Sequence, residues 1–276
     1  GRSMRTCLKS MECYDVEADT WSVMASELRA ERSRLAICVL EGNMYAIGGH
    51  DGRRTIKDVD KYSIEDGVCS RIANLKKERC SHSAVVLGGS IYALGGWNGH
   101  ARLNTVERFD VSENTWTNVA PMHTARNNVV ACVLDGCIYV FGGEVTASTP
   151  ISSVERYDPE TDTWREVASM RERRLGVRGA VLGGYIYACG GRDENDVAQQ
   201  SVERYDHQKN KWVEVAPMLT ARLMQSVIAC GSHLYSIGGA DSDDTPLSSV
   251  ERYDAVQDIW EGMADMLSTR HSMGAY

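Results

Sequence analysis

The chain lacks the features of secreted and membrane proteins. It has no hydrophobic run long enough to span a membrane or form a signal peptide, and no Asn-x-Ser/Thr acceptor site. Its nine cysteines form no Cys-x-x-Cys pair, so they indicate buried thiols in a reducing compartment, and we expect a cytoplasmic protein. A net charge of −8 leaves no basic excess, which argues against nucleic acid or an anionic membrane as a partner.

Catalytic motifs are also missing. The sequence has no His-Glu-x-x-His, no Gly-x-Ser-x-Gly, no phosphate-binding glycine loop and no clustered metal ligands. His82 and His271 lie near the starts of predicted inner strands, and we favour the polar lining of a wet channel over a catalytic role for them. We therefore expect a protein that is not an enzyme and that needs no cofactor and no metal.

What the sequence does have is a repeat. Two adjacent glycines recur at intervals of 47 or 48 residues, and a tyrosine lies three residues before each pair. A second register has six copies, each an aromatic residue followed seven residues later by tryptophan, with Cys69 as the one break. The aromatic residues of this register are Tyr14, Tyr62, Phe109, Tyr157, Tyr205 and Tyr253. Self-similarity at this period indicates a propeller or solenoid, whose units are stable only when packed against each other.

Each unit has the pattern of four short strands. Apolar runs such as 129–134 and 138–141 are too short for helices and rich in β-branched or aromatic residues, and tight turns such as 135–137 connect them. The Val-Glu-Arg-Tyr-Asp and Trp-x-x-Val segments add two more strands. Four such strands cannot stand alone, so we expect the units to pack radially in a closed ring.

The residues from Ser153 to Asp158, followed by Trp164, carry a resemblance to the kelch repeat, which extends over the whole chain. The short repeats resemble most the kelch domains of BTB-BACK-kelch proteins, the substrate adaptors of cullin-RING ubiquitin ligases. The resemblance implies an all-β fold: a six-bladed kelch β-propeller with four-stranded antiparallel blades, closed by the C-terminal strand. We expect one domain over 1–276, with the first blade assembled from residues 10–24 and 271–276.

Two charged columns recur once per unit. The basic column is Arg32, Arg79, Arg126, Arg174, Arg222 and Arg270, and the acidic column is Glu12, Asp60, Glu107, Glu155, Glu203 and Glu251. A specific binding surface cannot easily depend on a residue that is repeated in every unit. We interpret these columns as structural ion pairs or donors to backbone carbonyls, with binding as the minority alternative.

Binding is expected where the repeats differ. In the adaptors that the chain resembles, substrate peptides contact loops after the glycine pairs and side chains two residues after the repeated arginine. The resemblance thus implies partner-binding residues at Arg34, His50, Asp51, Ser81, Trp97, Asn98, Asn128, Glu144, Arg192, Asp193, Asp241 and Ser272. Gly176 and Met224 occupy the remaining inner-strand positions and offer little polar recognition.

The loops also differ in charge. Those of the first three repeats carry Arg2, Arg5, Lys9, Arg53, Arg54, Lys57, His100 and Arg102, whereas the later ones carry Asp193, Glu194, Asp196, Asp241, Asp243 and Asp244. This bipolar face is consistent with recognition or with solubility alone. Trp97, the one tryptophan outside the repeat column, is a candidate anchor for a partner, or else it folds back over residues 98–100.

These observations predict a protein-interaction module, with substrate recognition in a cullin-RING ubiquitin ligase adaptor as the leading hypothesis. The partner would be a protein or peptide segment on the loop face, and cullin would be reached only through BTB and BACK regions outside this chain. Two alternatives remain: a cytoskeletal kelch protein that binds actin, and, less favoured, a kelch-type enzyme.

Overall fold

The computed structural model describes residues 2–3, 6–24, 27–147 and 149–272. Two short antiparallel pairs come first along the chain. The first pair is β1 (Arg2–Ser3) with β2 (Thr6–Cys7), and the second is β3 (Glu12–Asp15) with β4 (Thr20–Val23). We call β3 and β4, with the turn between them, the outer hairpin.

Five four-stranded antiparallel sheets follow, which we number as blades one to five. Blade one holds β5 (Ala36–Leu40), β6 (Asn43–Ile47), β7 (Val59–Ser63) and β8 (Cys69–Arg71). Blade two holds β9 (Ser83–Leu87), β10 (Ser90–Leu94), β11 (Val106–Asp110) and β12 (Thr115–Val119). Blade three holds β13 (Val130–Leu134), β14 (Cys137–Phe141), β15 (Val154–Asp158) and β16 (Thr163–Val167).

The last two blades repeat the pattern. Blade four holds β17 (Arg178–Leu182), β18 (Tyr185–Cys189), β19 (Val202–Asp206) and β20 (Lys211–Val215). Blade five holds β21 (Ser226–Cys230), β22 (His233–Ile237), β23 (Val250–Asp254) and β24 (Ile259–Met263). The first strands of consecutive blades are neighbours, so the blades stand side by side with these strands innermost. In the part of the chain that the structure describes, no helix is long and apolar enough to cross a membrane.

The prediction of six four-stranded blades was wrong. The described residues form five such blades, and the outer hairpin alone follows blade five around the ring. Tyr14 and Trp21 belong to the repeated aromatic register, but they mark only the outer half of a unit, and β3 pairs with β4 alone. The closing strand that was expected over 271–276 lies mostly at 273–276, outside the described residues, and stays a prediction.

The outer hairpin nevertheless links the two ends of the blade series. Trp21 donates its indole N–H to the carbonyl of Ala264, at 3.1 Å, and the Tyr14 ring lies 6.0 Å from that of Tyr235 in blade five. On the inner side, the amide of Arg34 donates to the carbonyl of Ser272, at 3.1 Å. The ring is therefore closed, and in the part of the chain that the structure describes its sixth wedge has two strands.

The two charged columns form ion pairs, as predicted. In blade three, Arg126 donates to Glu155 at 2.7 Å and to the carbonyl of Ser153 at 2.9 Å, and both charged side chains are buried. The second carboxylate oxygen of Glu155 accepts the amide of His123 from the segment that enters the blade. The other pairs are Arg32–Asp60, Arg79–Glu107, Arg174–Glu203, Arg222–Glu251 and Arg270–Glu12. Each pair ties the entry segment to the third strand of its unit.

A second set of recurrent hydrogen bonds, made to a repeated alanine, joins each unit to the one before it. Trp164 donates to the carbonyl of Ala120 at 2.8 Å, while the amide of Ala120 donates to Asp162 at 2.9 Å. The alanine is thus held from both sides by one turn of the next blade. The other clamped alanines are Ala73, Ala168, Ala216 and Ala264.

The paired glycines end the second strand where backbones approach closely. Gly143 has a φ of +89°, and a Cβ on it would lie 2.4 Å from the carbonyl oxygen of Asn127. An L-residue at this position would be strained by its backbone and would also clash, so only glycine fits.

Candidate functional site

One face of the ring gathers the loops that follow the glycine pairs. Each loop is closed by an isolated bridge, such as His50 with Thr55 in blade one and Trp97 with Arg102 in blade two. Each loop also bridges back to the residue after the repeated arginine, as Cys80 does with Trp97. We call this surface, which comprises residues 50–55, 97–102, 144–147, 149–150, 192–198 and 240–246, the loop face.

The inner-strand positions form a backbone ring on the same side. The residues two positions after each repeated arginine all have left-handed backbone conformations: Arg34, Ser81, Asn128, Gly176, Met224 and Ser272. Amide-to-carbonyl bonds join several of them, including Ser81 to Arg34 at 2.8 Å and Ser272 to Met224 at 3.0 Å. Left-handed backbone disfavours β-branched residues, and none occupies this column. The side chains are free to vary because the ring is held by main-chain atoms.

Four of the predicted binding residues build the loops. The Oδ1 atoms of Asp51, Asn98, Asp193 and Asp241 each accept two amides from their own loop. The amide of Arg54 is the main cause of a lowered pKa at Asp51. These side chains therefore fix the shape of the loop face with at least one of their oxygens already in use.

A cavity of about 650 Å³ lies between the loops of blades one and two. It is lined by four of the predicted residues, Arg34, His50, Trp97 and Asn98. The structure therefore brings these four side chains, from different parts of the chain, around one concave site, which we call the loop cavity.

The loop cavity is cationic. Arg34, Arg53 and Lys57 line it, all three are exposed, and none has a carboxylate partner within the described residues. Arg54 also lines it and lies 4.0 Å from Asp51, with its side chain 82% exposed. The acidic lining residues are Asp58, which pairs with Arg71 at 3.1 Å, and Glu78. An anionic group would find unpaired donors here without displacing an internal ion pair.

Trp97 is half-buried at the wall of this cavity. The Arg102 guanidinium lies 5.6 Å from the centre of its ring, and Arg102 also donates to Glu144 at 3.1 Å. Asn127 donates to the same carboxylate oxygen at 2.9 Å. The indole is thus oriented by a cation–π contact within its own loop, and its remaining surface faces the cavity.

Other predicted residues lie elsewhere on the loop face. Arg192 donates to Asp196 and to Asp244, both at 2.8 Å, so its guanidinium joins the loops of blades four and five. Glu144 is 8% exposed and belongs to the network around Arg102. Ser81, Asn128 and Ser272 lie in the backbone ring, outside the loop cavity.

Arg53 and Lys57 were not among the predicted binding residues. They were not predicted because the resemblance implies binding by the first residues after a glycine pair, whereas these two lie further along the loop. The signal that could have found them is the basic run of that loop.

His82 does not line a wet channel as was expected. Its side chain is buried, and a Cβ on Gly48 would lie 3.1 Å from its Cε1 atom. Neither ring nitrogen has a hydrogen-bond partner among the residues that the structure describes. The imidazole fills the packing position beneath a glycine pair.

The His, Cys, Asp and Glu side chains of the described residues include the potential metal ligands, and the cysteines are the potential reactive thiols. No three His, Cys, Asp or Glu side chains converge as metal ligands within the ranges that the structure describes. Burial raises the pKa of the Cys38, Cys132 and Cys189 thiols to about 12, which suits packing rather than reactivity.

Comparison with known protein families matches this repeat architecture. The model of the KLHDC2/KLHL20/DRC7 Kelch-repeats domain matches residues 1–127 and 76–239, and the Kelch motif matches 221–267. The chain belongs to the kelch-repeat family. The charged columns, the glycine pairs and the tryptophan clamps are therefore features of its kelch units.

Individual relatives match only part of this kelch domain. The mouse (Mus musculus) "Influenza virus NS1A-binding protein homolog" is 40% identical over 52 residues, 19% of this chain. Human (Homo sapiens) "Kelch-like protein 3" is 42% identical over 45 residues, 16% of this chain. Each match spans 8% of the relative's own length. The solved structure of YjhT is similar in fold, with a TM-score of 0.82 and 13% identity over 93% of this chain and 91% of that chain.

Proposed function

We propose that this kelch domain is a protein-recognition module that holds the substrate of a cullin-RING ubiquitin ligase on its loop face. The similarity to kelch-like relatives supports a binding role. Contact with cullin would be made by BTB and BACK regions outside this chain. We also propose that the protein acts in the cytoplasm and does not itself catalyse ubiquitin transfer.

The observation that carries this proposal is the loop cavity. Arg34, Arg53 and Lys57 surround it without carboxylate partners among the described residues, and Trp97 supplies an aromatic wall. A segment with acidic side chains would form charge-assisted bonds with the cations, and an apolar side chain would pack on the indole. The proposed partner is therefore an acidic peptide segment with an apolar residue beside the acids.

The test measures the binding of fluorescently labelled acidic peptides to wild type and to two double variants. A lysine-rich peptide library serves as the control for the probe. R34A/K57A removes two cavity cations, and we expect at least about tenfold weaker binding, because each charge-assisted bond contributes about 1.5–3 kcal/mol. The matched control, R165A/K211A, removes two exposed cations from outer strands β16 and β20 and should bind as wild type does. Equal binding by all three proteins would contradict the site.

The ligase role needs a separate measurement in cells. A partner that is captured by wild type and lost with R34A/K57A should accumulate when cullin-RING ligases are inhibited. If the cellular amount of such a partner does not change on inhibition, the domain binds this protein but does not direct it to degradation.

A further inference from the structure

The loop face carries opposite charges on opposite sides of the ring. The loop of blade one, residues 51–57, holds Arg53, Arg54 and Lys57 and is called the basic loop. The loop of blade five, residues 241–245, holds Asp243 and Asp244 beside the capping Asp241 and is called the acidic loop. Both are exposed: the side chain of Arg54 is 82% exposed and that of Asp244 is 72% exposed.

The order of the units around the ring allows two copies to place these opposite charges in contact through a two-fold axis. Around the ring, blades one and two lie on one side, blades four and five on the other, and blade three and the outer hairpin separate them. Two copies can meet loop face to loop face about a two-fold axis that passes over blade three and the outer hairpin. This operation places blade one of one copy over blade five of the other, and blade two over blade four.

Opposite charges then meet where blades one and five face each other. The basic loop of each copy faces the acidic loop of the other, and this contact occurs twice because a two-fold interface is isologous. The loop of blade two faces that of blade four, which holds Glu194 and Asp196. On the axis, the loop of blade three meets its own copy, and its exposed residues Thr146 and Ala147 carry no charge that would repel.

Free charges remain for such a contact. Asp243 has no cationic partner and Arg53 has no acidic partner in the part of the chain that the structure describes. In blade four, Asp196 already pairs with Arg192 and Glu194 lies 3.4 Å from Arg173, so this blade contributes little. In the acidic loop of blade five, Asp244 also pairs with Arg192, which leaves Asp243 for the contact. The contact of basic with acidic loop therefore provides most of the complementarity.

We propose that the loop face is self-complementary and binds a second copy of this chain in a two-fold, salt-sensitive dimer. This dimer covers the loop cavity, so it competes with an acidic partner for Arg34, Arg53 and Lys57. The inference depends only on the charge pattern and the order of the blades, and it stands or falls independently of the ligase role.

Sedimentation velocity on the purified chain tests this first through salt. At about 0.01 M salt, where the Debye length is about 30 Å, we expect a concentration-dependent dimer. At about 1 M salt, where that length is about 3 Å, the same protein should sediment as a monomer. A monomer at every protein concentration in low salt would overturn the proposal, and so would a dimer that is indifferent to salt.

Charge reversal then locates the contact. R53E/R54E makes both sides acidic and D243K/D244K makes both sides basic, so each variant alone should dimerise at least about tenfold more weakly than wild type. A mixture of the two variants should form a heterodimer, and the protein with all four substitutions should dimerise with itself again. Asp196 remains on Arg192 in D243K/D244K, and thermal unfolding checks that both variants are folded.

The mixing result separates this surface from any other interface. If the two variants fail to associate in the mixture although each is folded, the contact of basic with acidic loop is wrong. If both variants alone still form the wild-type dimer, the interface lies elsewhere on the molecule.

Discussion

At the scale of single residues, His82 is a polar side chain in an apolar position. The equivalent residues of other blades are Leu35, Val129, Val177 and Gln225, each of them buried. Burial, with a further contribution from the charge of Arg79, holds the pKa of His82 well below its ordinary value. His82 is thus neutral in the folded chain, whereas in the unfolded chain its imidazole binds a proton below about pH 6.5.

The sign of the pH dependence follows from this difference. As the pH falls below about 6.5, the unfolded state takes up a proton that the folded state does not, so His82 makes the protein less stable by up to about 1.4 kcal/mol per pH unit. We expect H82V, which installs the residue of blades three and four, to flatten the loss of unfolding free energy between pH 7 and pH 5. Urea unfolding measures this loss, and H100V, at an exposed histidine, serves as the control. Parallel curves for wild type and H82V would contradict the assignment.

Residues of the loop face show why their roles were only partly predictable. Position in the repeat correctly located Arg34 and Trp97 near one another on a shared face, because the repeat fixes the backbone. It could not tell that Asn98 and Asp193 accept amides from their own loops, since polar side chains suit both recognition and turns. Nor could it place Arg192 between Asp196 and Asp244, because that contact depends on how two neighbouring loops bend.

At the scale of elements, the strand with Cys69 differs from the other outer strands. Strand β8 has three residues, whereas β12 has five. Trp116 in β12 packs 5.0 Å from Phe109 and donates to the carbonyl of Ala73 at 2.9 Å. A cysteine can provide neither the ring contact nor the indole N–H. The outer edge of blade one is therefore less firmly held than that of blade two.

Hydrogen exchange can test this difference with a matched variant. We expect the amides of 69–71 to exchange faster than those of 115–119 in wild type. W116C copies the break into blade two, and losing the buried ring should cost about 3–5 kcal/mol, so exchange in 115–119 should rise at least about tenfold. The control T117A changes an exposed neighbour in the same strand. If 115–119 stays as protected in W116C as in T117A, the clamp does not stabilise this strand.

At the scale of the whole molecule, the sequence predicted a radial array of four-stranded units and miscounted the complete ones. Strand type, turn positions and the ion-pair columns all follow from the repeat, because every unit must bury the same surfaces against its neighbours. The count failed because Tyr14 and Trp21 were treated as evidence for a full blade. They require only an outer hairpin, since the paired aromatic residue and tryptophan lie on the third and fourth strands of a unit, as Phe109 and Trp116 do in blade two.

The ring as a whole depends on bonds between residues that are far apart along the chain. Arg270 donates to Glu12 at 2.5 Å and to the carbonyl of Ser10 at 2.9 Å, and these contacts join the outer hairpin to the end of blade five. Arg126 makes the same kind of pair with Glu155 inside blade three, without closing the ring. Substituting each arginine in turn therefore distinguishes the contribution of an ion pair to ring closure from its contribution to the stability of a single blade.

We expect R270A and R126A to differ in where they loosen the structure. Removing one partner of a buried pair costs about 3–5 kcal/mol, so both variants should unfold at a lower temperature. In R270A, exchange should rise together in 12–23 and 250–263, because the hairpin loses its hold on blade five. In R126A, the rise should be confined to blade three and its neighbours. A hairpin that keeps its protection in R270A would show that the Trp21–Ala264 clamp closes the ring without the ion pair.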